Sequence, residues 1–172
     1  MKKITMTLTA MMVVLFAFQS NAQISLNGTV GMFKSTESGS DAQWGLNVSG
    51  KYTLNDNMRI GANIGYYSRS ETFLNNTLTS STTPITGLFE YSFSKDGLAP
   101  YVGADLGFYS FAISGGGASF SKSYFGFAPV VGLDYGINDK ISINANYKFH
   151  YIMSDVESTS INGINAGVSY KF

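Results

Sequence analysis

Apolar and polar residues alternate along most of this chain. Trp44, Leu46, Val48, Tyr52 and Leu54 are separated by Gln43, Gly45, Asn47, Ser49, Lys51 and Thr53. Side chains on an extended strand point to opposite faces in turn, so the pattern predicts a strand with one apolar and one polar face. The next segment repeats it, with Met58, Ile60, Ala62, Ile64 and Tyr66 set against Arg59, Gly61, Asn63, Gly65 and Tyr67. Six further segments follow the same rule with occasional exceptions: residues 24–32, 85–93, 101–111, 124–137, 141–151 and 164–172. The reading is therefore all-β, with eight strands of mostly about 9–11 residues or a little more, the length that crosses a hydrocarbon layer when tilted.

The connections alternate as well. Asn55-Asp56-Asn57, Lys95-Asp96-Gly97 and Asn138-Asp139-Lys140 are tight hairpin signals. Between them lie longer polar stretches beginning at Lys34, Ser70, Ile113 and Met153, and these are expected to be loops. Short turns on one rim and long loops on the other are the asymmetry of an outer-membrane barrel, whose turns face the periplasm.

Alternation does not say which face looks inward. A secreted ligand-carrying barrel turns its apolar face in, and a membrane barrel turns it out. The polar face here is rich in glycine and small residues, which suit a narrow interior and would weaken a solvated strand surface. The apolar face carries aromatics near the turn ends (Tyr52, Tyr91, Phe93, Tyr135, Tyr170, Phe172) and near the loop ends (Trp44, Tyr66, Phe108, Phe125, Phe149, Tyr151). Two aromatic girdles with aliphatic residues between them match the two lipid–water interfaces. The expectation is an antiparallel up-and-down transmembrane β-barrel, closed because an open edge in lipid would leave backbone groups unpaired.

Both ends of the chain agree with that compartment. Residues 1–22 carry Lys2 and Lys3, the apolar run from Met11 to Phe18, and then Ser20-Asn21-Ala22, which reads as a cleaved secretory signal with the barrel domain at residues 23–172. The chain ends in NAGVSYKF, with Asn165, Gly167, Tyr170 and Phe172 spaced like the C-terminal signal by which outer-membrane barrels are handed to the assembly machinery. Cysteine is absent, so neither a disulfide framework nor a lipidated cysteine is expected. Net charge is zero, and about −2 without Lys2 and Lys3, with no basic patch for nucleic acid.

Together with the segments PYVGADLGFYSF and GFAPVVGLDYGINDKISINANYKF and the terminal aromatic, these strands resemble the small OmpA/OmpX-type outer-membrane barrels of bacteria. The resemblance covers essentially all of residues 23–172 and implies fold and location more than activity, because members differ in what their loops bind. Since no domain is seen after Phe172, the peptidoglycan-tethering role of two-domain members is not expected.

The polar face carries the candidate chemistry. Glu90, Asp105 and Asp134 fall on three consecutive strands, and Lys51, Arg59 and Lys148 on flanking ones. An eight-stranded interior is about wide enough for side chains to fill it, and charges confined there need partners. An internal ionic network that plugs the lumen is expected, the alternative being a narrow pore for water, ions or very small solutes lined by the three carboxylates. Glu90 and Asp105 as a proton-sharing pair would need a substrate path. A lipid-modifying Ser-His site is a weaker alternative, since His150 falls by parity on the interior face and Ser154 lies beyond it.

No catalytic, cofactor or metal site is expected: with one histidine a zinc site lacks ligands. Gly115-Gly116-Gly117 precedes no helix and is no phosphate cradle. Acidic loop residues Glu37, Asp41, Glu71, Asp155 and Glu157 could meet the divalent cations that bridge lipopolysaccharide. Expected partners are outer-membrane lipid and lipopolysaccharide, the assembly machinery, and a surface ligand at four extracellular loops. A monomer with a structural and surface-interaction role is the leading reading.

Overall fold

The computed structural model describes residues 23–73, 76–94, 97–116, 118–154 and 158–172. The expected leader therefore lies outside the described residues, as do Lys95 and Asp96 of one turn and Asp155 and Glu157 of the last loop.

Eight strands close into one antiparallel barrel: β1 (Ile24–Ser35), β2 (Gln43–Thr53), β3 (Met58–Phe73), β4 (Asn76–Ser92), β5 (Leu98–Gly115), β6 (Ala118–Gly136), β7 (Ile141–Met153) and β8 (Thr159–Lys171). Each pairs with its sequence neighbours, and β1 closes on β8 from Ser25↔Lys171 to Ser35↔Ile161. Closure pairs the backbone around the wall and leaves no edge toward lipid.

Alternation along the strands becomes inside and outside. Asn27 and Thr29 of β1, Asn47 and Ser49 of β2, Asn63 of β3 and Asn165 of β8 are buried in the interior, while Val30, Leu46, Ile64, Leu106, Val131 and Ile164 are exposed on the outer wall. Tyr52, Phe93, Tyr135 and Tyr170 rim this apolar band at the turn end, and Trp44, Tyr66, Phe108 and Phe125 rim it at the loop end. A continuous apolar girdle of this kind far exceeds the patches of a few hundred Å² that water-soluble monomers tolerate.

Two of the short turns are set by the same device. Asn55 Oδ1 accepts from the amides of Asn57 (3.0 Å) and Met58 (2.9 Å), and Asn138 Oδ1 accepts from those of Lys140 (3.0 Å) and Ile141 (2.9 Å). An asparagine side chain thus mimics the backbone acceptor and closes the hairpin.

The other rim departs from expectation. The stretches from Ser70 and Ile113, expected as loops, are strand on both sides of short tips: β3 runs to Phe73 and β4 starts at Asn76, while β5 runs to Gly115 and β6 starts at Ala118. Serine and threonine dominate there and lower the hydropathy, which conceals a strand from a reading based on apolar period. They are nonetheless compatible with a pleated surface, threonine favourably so. Pairing of β2 with β3 ends at Trp44↔Ser68 and that of β6 with β7 at Phe125↔Met153, whereas β4 stays paired with β5 up to Thr79↔Ser114. The upper parts of β3–β6 therefore form a four-stranded blade rising above the barrel wall. The stretch after Lys34 does contain a loop, between Ser35 and Gln43, while most of the one after Met153 lies outside the described residues.

Candidate functional site

Side chains project into the lumen in layers. At the turn end Arg59 of β3 stands between two carboxylates: its Nη1 donates to Asp134 Oδ2 of β6 at 2.6 Å, and its Nη2 lies 2.9 Å from Glu90 Oε2 of β4. Lys51 of β2 donates to both oxygens of Glu90 at 2.9 and 3.0 Å. Tyr101 lies beneath these cations, its ring centroid 5.5 Å from Lys51 Nζ and 5.1 Å from Arg59 Cζ. Its ring fits because β6 offers a glycine opposite: a Cβ on Gly132 would lie 2.7 Å from Tyr101 Cε1.

One level up, Lys148 of β7 donates to Asp105 Oδ2 of β5 at 2.6 Å. The structure thus brings Lys51, Arg59, Glu90 and Asp134 into one cluster and Asp105 with Lys148 into a second pair. Lys51, Glu90, Asp105 and Lys148 are all buried. Glu90 lies against Lys51 and Arg59, and Asp105 against Lys148, so each carboxylate is paired with cations and not with the other.

Hydrogen-bonded amides run from the turn-end mouth, which Ser169 lines, up to the middle of the lumen. Asn63 donates to Thr86 Oγ1 at 3.2 Å, and Asn27 and Asn144 both donate to Ser169 Oγ, at 2.6 and 3.3 Å. Tyr67 of β3 donates to Asn165 Oδ1 of β8 at 2.6 Å, and Asn165 Nδ2 donates to Asn146 Oδ1 at 3.2 Å.

Above them is an aromatic layer that the polar reading of the inner face did not anticipate. Phe33 stacks on Tyr67 with ring centroids 3.7 Å apart and 11° between planes, and tilts against His150 at 4.5 Å. Tyr109, Ile152 and Ile161 complete this buried cluster. The signal was available as parity: Phe33 shares the face of Asn27 and Thr29, Tyr101 and Tyr109 that of Asp105, and Ile152 that of Lys148. His150 lies inside, 2 % exposed, with Nδ1 2.9 Å from the Tyr109 hydroxyl. It is held away from the lipid-facing wall where a lipid-modifying site would need it.

A mouth opens at each end. The loop-end mouth has a volume of about 520 Å³, a floor of Phe33, Ile152 and Ile161, and a rim where Arg69 meets Asp41 at 2.5 Å and Glu71 at 2.9 Å. The turn-end mouth is about 750 Å³ and reaches down to Arg59 and Asp134. Between them, the space bounded by Phe33, Tyr67, Asp105, Tyr109, Lys148 and His150 is too tight to take a water molecule.

The residues of the terminal pattern divide between the two faces. Asn165 is buried in the amide layer, and Gly167 presses against β1, where a Cβ would lie 2.6 Å from Thr29 Cα. Tyr170 is on the outer wall, edge-on to Phe172 with centroids 5.2 Å apart, and the Phe172 amide donates to the Ile24 carbonyl at 3.0 Å.

Comparison with known proteins places this geometry. Neisserial surface protein A superposes with a TM-score of 0.71 at 21% identity, over 87% of this chain and 97% of that one. Ail, the attachment invasion locus protein of Yersinia pestis, in a structure with the heparin analogue sucrose octasulfate, gives 0.62 at 18% identity, over 87% and 97%. OprG from Pseudomonas aeruginosa gives 0.53 at 15%, over 87% and 95%. No match is found among the curated proteins. Residues 5–172 match the outer membrane protein beta-barrel domain, and with the closed eight-stranded barrel and its apolar girdle this places the protein in the bacterial outer membrane, as a member of that family.

Proposed function

We propose that this protein is a non-catalytic, monomeric barrel whose lumen is closed and whose work is done at the outer surface, where the β3–β6 blade and the outer loops meet ligands or other surfaces. The observation that carries this reading is the space among Phe33, Tyr67, Asp105, Tyr109, Lys148 and His150, between the two mouths, which is too tight to take a water molecule. Moving an ion through would require parting Lys148 from Asp105 and shifting the Phe33–Tyr67 stack, contacts that water in so narrow a space replaces poorly. The rim carrying the blade faces outward in this reading. Lipid and lipopolysaccharide surround the girdle, and the last strand serves recognition by the assembly machinery.

One feature favours a second reading, a narrow path for water. Asn47 Oδ1, Asn63 Oδ1 and Asn144 Oδ1 are buried acceptors with no protein partner, and such groups ordinarily bind something. Osmotic measurements on proteoliposomes separate the two. The closed barrel predicts shrinkage and solute entry no faster than in protein-free vesicles. Fast shrinkage without sugar entry would favour the water path, and fast sugar entry would overturn the closed lumen.

A further inference from the structure

The outward face of the barrel changes chemistry abruptly at one height. Up to Tyr66, Ile85, Phe108 and Phe125 every strand of the β3–β6 sheet presents large apolar residues outward. Immediately above, at alternate positions 68–72, 77–83, 110–114 and 119–123, every outward residue is Ser or Thr except Ala112. Among the described residues no charged side chain lies on that face. The blade's charges, Arg69, Glu71 and Lys122, fall by parity on the opposite side, toward the lumen axis.

The hydroxyls form one continuous surface. Ser70 pairs with Thr79 at 2.9 Å, Thr72 with Thr77 at 3.2 Å and Ser114 with Ser119 at 3.1 Å, and Ser110 meets Ser123. Register joins the two hairpins, setting Thr79 beside Ser114 and Thr83 beside Ser110. Hydroxyls are therefore spaced by about 7 Å along the strands and about 4.8 Å between them. Each offers one donor and two acceptor sites, so a single cross-strand bond leaves capacity to spare.

A surface standing in open water ordinarily carries about a quarter or more of charged residues, both signs interspersed. This face has none, and it continues directly from the lipid-facing girdle, so what lies against it is whatever lies just above the hydrocarbon of the same leaflet. We propose that this hydroxyl face is a carbohydrate-contact surface that packs against the neutral head-group sugars of glycolipids surrounding the barrel in the outer leaflet. The proposal rests on the outward orientation of the blade given above. A sugar ring presents hydroxyls at comparable spacing and no net charge, so dense neutral donors and acceptors recognise it better than salt-bridging side chains do.

The test uses the purified full-length protein in phosphatidylcholine nanodiscs doped with equal traces of lipopolysaccharide carrying its core sugars and of the same glycolipid stripped to lipid A. Around the wild type the sugar-bearing form is expected to be enriched about fivefold over the stripped form, the scale of one or two net hydrogen bonds. Replacing Ser81, Ser110, Ser121 and Ser123 together by Ala should bring the ratio near one, and replacing the same four by Thr should preserve it. Heat-modifiable migration checks that both variants fold. A wild-type ratio of one, or full enrichment in the Ala variant, overturns the proposal. If the Ala variant does not fold, the wild-type and Thr ratios still decide. Nanodiscs expose both rims to both glycolipids, so a reversed orientation in cells, which surface labelling reports separately, leaves this measurement unaffected.

Discussion

The Tyr67 hydroxyl of β3 donates to Asn165 Oδ1 of β8 at 2.6 Å, spanning the lumen between strands that are not neighbours in the wall. Asn165 belongs to the terminal pattern expected to guide assembly, and this bond gives it a place in the folded interior as well. Replacing Tyr67 by Phe removes one donor and should destabilise by about 1 kcal/mol, while Asn165→Ala also strands its neighbours and should cost about 1–3 kcal/mol. Because the two share one bond, urea unfolding in lipid vesicles should find the double variant less destabilised than the sum of the singles. Strict additivity would show that the contact contributes nothing.

Arg59 has two carboxylates, whereas Glu90 is the only carboxylate paired with Lys51 among the described residues. Glu90→Gln should therefore leave Lys51 buried and uncompensated, at a cost on the order of 3 kcal/mol. Asp134→Asn should cost less, because Arg59 keeps Glu90 and its side chain, 20% exposed, reaches the turn-end mouth. Unfolding midpoints of the two variants give the order directly, and a larger loss for Asp134→Asn would contradict this partition of the cluster.

The strand alternation, the strand count and the short turns were legible in the sequence because period two and asparagine turn chemistry are local properties. The six interior charges could be placed on one face by parity, but which cation meets which carboxylate depends on strand tilt and register around the whole wall, so a linear reading could not pair Arg59 with Asp134 across the lumen. The aromatic layer was missed for a different reason. Phe33 and Tyr109 are apolar in a linear reading, and glycines on other strands, such as Gly163 against Phe33 and Gly126 against Tyr109, make room for them inside. The blade was hidden by composition, since Ser and Thr at positions 68–83 and 110–123 resemble loop.

Tyr170 and Phe172 touch each other at the turn end, with Tyr170 exposed on the outer wall, so the assembly role proposed for them is separable from the lumen clusters. Replacing both by Ser should leave folded, heat-modifiable barrel largely absent from outer-membrane fractions. Protein refolded in detergent should lose little stability. Normal amounts of the double variant in the membrane would mean that the terminal pattern is only an aromatic strand end.

Orientation follows from the asymmetry of the rims. Single cysteines at Ser40 and Ser119, on the blade-bearing rim, should react with a membrane-impermeant thiol reagent on intact cells, and one at Asp56, in a short turn, should react only after the envelope is opened. Equal labelling at all three positions would reject the outward placement of the blade.

The closed lumen is the central claim, and planar-bilayer conductance of the wild-type protein tests it most directly. With Asp105 held by Lys148 at 2.6 Å and no room for water beside the Phe33–Tyr67 stack, the account predicts currents at the level of the bare bilayer, interrupted at most by brief openings. Large, steady, cation-preferring currents from folded wild-type barrel would contradict it.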